Sequence, residues 1–114
     1  MPGFVSYNPW AYYQWVEKII HSNASRIMTA LLRELRERAG FKQEELAEQI
    51  GAVRQTVSAI ERGERMLMTL ELWIYLRPLK VTPPQFIVML DERLTAEKAK
   101  PGETVTPDTK AILG

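Results

Sequence analysis

Residues 43–62 read Gln-Glu-Glu-Leu-Ala-Glu-Gln-Ile-Gly-Ala-Val-Arg-Gln-Thr-Val-Ser-Ala-Ile-Glu-Arg, and their spacing decides the fold. Leu46, Ala47 and Ile50 recur at helical intervals, Gly51 interrupts them, and Val57 and Ile60 resume the same period. The pattern predicts two short helices, over about 43–50 and 54–62, packed around a tight turn. Three size constraints coincide there. Ala47 is small where the helices approach closely, Gly51 permits the left-handed backbone that ends the first helix, and Val57 fills the angle between them.

Upstream of this pair, Ile27, Met28, Leu31, Leu32 and Leu35 form one apolar stripe from Ser25 onward. Arg33, Glu34, Glu37 and Arg38 lie off the stripe, and Gly40 supplies a stop. Downstream, a helix over about 69–79 is expected to turn Leu70, Leu72, Trp73, Leu76 and Leu79 inward, with Pro78 kinking or shortening it. A further helix starts at Pro83-Pro84 and is expected to bury Phe86, Ile87, Met89 and Leu90. Nothing reads as a strand, since β-branched residues are scattered and no turn dipeptide separates alternating runs. The class is all-α.

The flanks differ from this middle. Phe4, Tyr7, Trp10, Tyr12, Tyr13 and Trp15 crowd most of the aromatic residues into the first fifteen positions. Asn8 is placed to cap a helix with Pro9 at its first position, and Tyr12, Trp15, Val16, Ile19 and Ile20 follow at helical spacing up to about His21-Ser22-Asn23. So much aromatic surface must be covered. Packing on the same chain is favoured slightly over a dimer contact. From Thr95 onward Pro101, Gly102, Pro107 and polar residues predict a mostly disordered tail, apolar only at Ala111-Ile112-Leu113. The chain divides into an aromatic arm and helix (1–24), a helical domain (25–94) and a tail (95–114).

Composition narrows function. A chain of 114 residues, 46% hydrophobic and 25% charged, makes one domain. The absence of cysteine and the presence of one histidine, His21, exclude zinc fingers, iron–sulfur ligation and thiol catalysis, so neither metal nor cofactor is expected. The carboxylates sit at solvent-facing helix positions and no phosphate-binding glycine motif occurs, so an enzyme is not expected. There is no apolar run long enough to span a membrane, and a cytoplasmic location without a membrane partner is the expectation. Net charge is +1, so any nucleic-acid surface must come from the placement of charges.

The spacing of 43–62 resembles the helix-turn-helix of the Cro and phage-repressor (Xre-type) family. The likeness extends from Leu-Arg-Glu-Leu-Arg-Glu-Arg-Ala-Gly, which ends at Gly40, through Glu-Arg-Gly-Glu, which ends at Glu64. It implies a five-helix, lambda-repressor-like DNA-binding domain, here with an extra N-terminal helix, acting on double-stranded operator DNA as a transcriptional regulator, most simply a repressor. The second helix of the pair then enters the major groove, with Arg54, Gln55 and Ser58 as base readers. Arg54 forks onto guanine or contacts phosphate, and Gln55 pairs with adenine or meets solvent. Ala59 offers at most a methyl contact to thymine.

The family's glutamine at the start of the preceding helix is Gln43 here, implying a phosphate contact beside the helix N-terminus. Lys42, Arg62 and Arg65 flank it, and Thr56 either adds a hydroxyl to a phosphate or faces a neighbouring helix. Similar domains pair an arginine of their first helix with a glutamate near the end of the recognition helix, which implies a structural ion pair between Arg36 and Glu61. A homodimer is expected because one recognition helix covers only a half-site. The same fold also serves antitoxins, so a second reading has the N-terminal arm or the tail binding a protein partner such as a toxin.

Overall fold

The computed structural model describes residues 8–98; the expectations for Phe4, Tyr7 and the tail beyond residue 98 lie outside them. The described residues form six helices and no strand: α1 (Pro9–Ile20), α2 (Asn23–Arg38), α3 (Gln43–Ile50), α4 (Arg54–Glu61), α5 (Thr69–Leu76) and α6 (Pro83–Lys98). The expected all-α fold, five helices with one added at the N-terminus, is what forms. The last helix continues past the expected boundary at Leu94, through Thr95 to Lys98.

One core joins α2 through α6. Leu31, Leu32 and Leu35 of α2 meet Leu46 and Ala47 of α3, Val57 and Ile60 of α4, Tyr75 and Leu76 of α5, Leu79 just beyond it, and Phe86 of α6. The closest helix pair is α3 with α4, as the small Ala47 requires, and α2 packs on both α4 and α6. Glu34 of α2 accepts from Arg93, tying α6 across the core.

The helix ends explain why these boundaries hold. After α2, α3 and α4 the chain closes the same paired motif. The N–H of Phe41, Ala52 and Glu64 reaches back to the carbonyl of Arg36, Ala47 and Ala59, and Gly40, Gly51 and Gly63 donate to Glu37, Glu48 and Ile60. This double bond satisfies carbonyls that a helix end leaves open, and it demands a left-handed residue at its pivot. At Gly51 and Gly63 φ is +73° and +75°.

A fourth copy of the motif closes α5 without glycine. Val81 donates to Leu76 and Lys80 to Arg77, and the pivot is Lys80 at φ +59°. Pro78 ends α5 earlier than expected, because it has no N–H to donate to the carbonyl four residues back. The α5 helix is also rotated relative to its expected phase. Leu76 and Leu79 are buried as expected, but Tyr75 is buried with them while Leu70 and Trp73 are exposed. In α6, Ile87, expected inside, is exposed. The Tyr75 hydroxyl is buried with no hydrogen-bond partner among the described residues, and burial pushes its pKa well above the ordinary phenol value, with the Glu61 carboxylate adding to the effect.

The expectation that α1 packs on its own chain is met only toward its end, where Val16, Ile19 and Ile20 are half-buried; its aromatic residues are exposed. Asn8 accepts the Trp10 N–H at 3.0 Å and caps the helix as expected, yet α1 buries none of its residues. Its main contact with the body is with α2.

Lys80→Gly removes the steric penalty of a side chain at positive φ, offset in part by the greater freedom of glycine in the unfolded chain. The expected result is a gain of about 0.5–1 kcal/mol in urea unfolding.

Candidate nucleic-acid interface

The turn between α3 and α4 aims the start of α4 outward. Val53 precedes the helix in extended conformation, and Arg54 and Gln55 occupy its first two positions, all three exposed. Among the described residues Arg54 has no ion-pair partner. Val57 and Ile60, facing the opposite way, are buried at 0% and 2% exposure and anchor α4 to the core.

The orientation of α4 is held by a buried clasp. Arg36 of α2 donates through Nε to Glu61 Oε2 at 2.6 Å and through Nη2 to Glu61 Oε1 at 3.1 Å. Its Nη1 donates to the Phe41 carbonyl at 2.7 Å, on the turn between α2 and α3. The two side chains are 9% and 4% exposed. The hydrogen bond to Glu61 holds the Arg36 pKa above its ordinary value despite the opposing effect of burial. The resemblance implied this pair, and the structure contains it.

Gln43 joins the clasp. Its Nε2 donates to Glu61 Oε1 at 2.9 Å, so the side chain expected to hold a phosphate also fixes the start of α3 against the end of α4. Glu45 accepts the Lys42 backbone N–H at 2.8 Å and caps α3, leaving the Lys42 side chain exposed.

Other expected contacts are placed differently. Ser58, expected on the outer face, is buried, and its hydroxyl accepts from Arg62 Nη1. The Arg62 guanidinium, one turn later and itself exposed, covers the hydroxyl. Thr56 and Ala59 are half-buried, and Thr56 lines a cleft with Ile50, Leu67 and Ile74. The remaining Arg62 nitrogens donate to Glu64 at 2.9 and 3.0 Å, and this contact lowers the Glu64 pKa. Arg65 donates to Glu71 at 2.6 Å. Glu71 also accepts the Met68 N–H, and that backbone bond, then Arg65, lowers its pKa. Lys42, Gln43, Arg54 and Gln55 therefore stand at the starts of α3 and α4, while Arg62 and Arg65 lie beyond the end of α4 in carboxylate pairs. The exposed Val53 escaped the sequence reading, because an apolar residue in a turn gives no periodic signal.

Residues 32–86 match the model of a family described as Helix-turn-helix. Over 36 residues the chain is 53% identical to an HTH-type transcriptional regulator of Methanothermobacter thermautotrophicus, covering 32% of this chain and 52% of that protein. Over 33 residues it is 54% identical to the HTH-type transcriptional regulator YgzD of Bacillus subtilis, covering 29% of this chain and 50% of that one. The chain thus spans about half the length of the curated relatives it matches. Among solved structures, the wild-type restriction-modification controller protein C.Esp1396I superposes with a TM-score of 0.61 at 27% identity, over 66% of this chain and 99% of that one. A mutant of the same controller superposes with a TM-score of 0.60 at 27% identity, over 65% and 94%.

Two outcomes follow from this geometry. Glu61→Ala leaves a buried guanidinium without its counter-charge and should cost about 3–5 kcal/mol in urea unfolding, whereas the joint change Arg36→Met with Glu61→Leu should recover most of that loss. Glu64→Gln removes the counter-charge of Arg62, which Ser58 still holds, without touching the core; if this interface takes DNA, affinity for any duplex should rise and the slope of log affinity against log salt should steepen by about one charge.

Proposed function

We propose that residues 32–86, which match the helix-turn-helix family model, form an Xre-type domain and that this chain is a sequence-specific regulator of transcription that lays α4 in the major groove of double-stranded DNA. One observation carries the reading: Arg54 and Gln55 stand exposed on the first turn of a helix whose opposite face is anchored and whose far end is clasped. Among the described residues Arg54 makes no ion pair, so its fork is open to the two acceptors of guanine, and Gln55 can pair with adenine. Val53 and Ala59 supply methyl groups for thymine. Ser58 acts by holding Arg62.

Phosphate contacts come from two sources. Lys42 and Gln43 flank the N-terminus of α3, where peptide dipoles favour an anion. Gln43 keeps a second amide hydrogen after donating to Glu61, so clasp and phosphate contact are compatible. Arg62 and Arg65 engage only by leaving Glu64 and Glu71. Their contribution should grow in the presence of DNA, whose phosphates outbid an exposed carboxylate by number.

A single α4 covers one half-site, so a homodimer on an operator with two-fold symmetry is the working form, its half-sites about 34 Å or a multiple apart. Repression follows if the operator overlaps a promoter. The likeness to a restriction-modification controller and to two transcriptional regulators supports regulation over other uses of the fold.

The test is fluorescence anisotropy with duplex from the upstream region of the protein's own gene and with a scrambled duplex, at two salt concentrations. Wild type should prefer the upstream duplex, with a steep salt slope. Arg54→Ala should lose about 1–3 kcal/mol of that preference, while Gln43→Ala should weaken both duplexes alike. Equal, sequence-blind losses from both substitutions would remove Arg54 from base readout.

A further inference from the structure

The helix outside the family's match, α1, is the largest feature without a role. Trp10, Tyr12, Tyr13 and Trp15 are 73%, 58%, 61% and 44% exposed. Their rings touch one another, with centroids 6.4 Å apart for Trp10 and Tyr13, 5.8 Å for Tyr12 and Tyr13, and 6.2 Å for Tyr12 and Trp15. On a 100° helical step these residues wrap more than half the circumference. A helix apolar over so wide an arc is normally enclosed. Only the end of α1 approaches the body, where Ile19 borders an apolar groove with Met28, Met66 and Leu90.

We infer that the aromatic belt of α1 is a self-association surface whose occupant is α1 of a second copy of this chain. With about 150–250 Å² available on each aromatic side chain, these exposures leave roughly 500 Å² open per protomer. One partner helix covers only the arc that faces it, about half of the belt, so these side chains supply roughly 500 Å² to a symmetric pair. The remainder of a specific interface, about 1,000 Å² in all, comes from the α1 residues beside them.

The charge pattern fits the same occupant. No charged residue precedes Glu17 in α1, so pairing along the first two turns desolvates no charge. Glu17 and Lys18 come at its end, and Glu17 lies 3.3 Å from His21, both highly exposed. In an antiparallel two-fold pair the charged end of each helix falls beside Pro9 and Trp10 of the other, at the rim, where Lys18 can approach the Trp10 ring face. A membrane surface would want several cations on this helix, and Lys18 is the only lysine or arginine in it.

The inference rests on the proposed homodimer for the identity of the partner, and it requires no DNA. Sedimentation velocity of the full chain at tens of micromolar, without DNA, reads it directly. The variant Trp10→Glu/Tyr13→Glu should have half the wild-type mass. The milder Trp10→Ala/Tyr13→Ala should need at least tenfold more protein to associate. Both should keep the wild-type urea transition of the core, because α1 buries none of its residues. Equal masses for wild type and the Glu variant, whether both associated or both monomeric, would overturn the inference and assign the belt to another partner. Anisotropy on the same samples keeps the two readings apart: halved mass without any sequence preference in wild type sinks the DNA reading alone, and equal masses with preserved preference sink the α1 interface alone.

Discussion

A buried guanidinium sets the geometry on which the rest depends. Arg36 joins α2 to the end of α4 through Glu61 and to the α2–α3 turn through the Phe41 carbonyl, and Gln43 brings in the start of α3 through the same carboxylate. Four segments share one planar fork. Apolar side chains of similar volume could fill this space at comparable free energy, since removing two charges from water consumes most of what their attraction returns. Direction is what they would lose. Leucines tolerate small rotations of one helix over another, whereas two nitrogens facing two oxygens accept a narrow range of angles. That range fixes where the first turn of α4 points, and in the proposed function the width of a base edge sets the tolerance.

Parts of this were legible in the chain and parts were not, for reasons that differ by residue. The α2, α3 and α4 helices combine an apolar stripe, a polar face and a closing glycine, so period and boundary agree. In α5, Thr-Leu-Glu-Leu-Trp-Ile-Tyr-Leu has polar side chains only near its start apart from the tyrosine hydroxyl, so no polar face chooses a phase. The body chose Tyr75 and Leu76 over Leu70 and Trp73. Lys80 hid a left-handed turn, because the usual signal is a glycine. In the candidate site, the Arg36–Glu61 pair was legible through a family likeness, while the Gln43 contact to the same carboxylate was not, being a by-product of how closely α3 and α4 approach. Ser58 misled because a hydroxyl beside Val57 on a short helix suits either face until Arg62 reaches back to it.

The near-neutral charge gains sense from this layout. Among the described residues Arg54, at the start of α4, makes no ion pair, while Arg62 and Arg65 are each matched by a carboxylate. If α4 reads DNA, the group suited to base edges is available at first encounter and part of the phosphate-binding charge is released only on close approach. Such an order weakens attachment to arbitrary duplex, which competes in vast excess, more than attachment to the correct site.

The bare surface of α1 has a thermodynamic corollary. A helix of 12 residues that fully buries none of them is held by its own cap, its ring contacts and the half-buried Val16, Ile19 and Ile20, and isolated helices of that length are marginal in water. Its opening is then a local event, separated from melting of the core by the two residues His21 and Ser22, and its amides should exchange with solvent far ahead of those in α2 or α4. Whatever covers the aromatic belt orders the helix in the same step. Part of the contact energy is spent on that ordering, so the association is held to modest affinity and ready reversal, and α1 behaves as an element whose folding is a function of concentration.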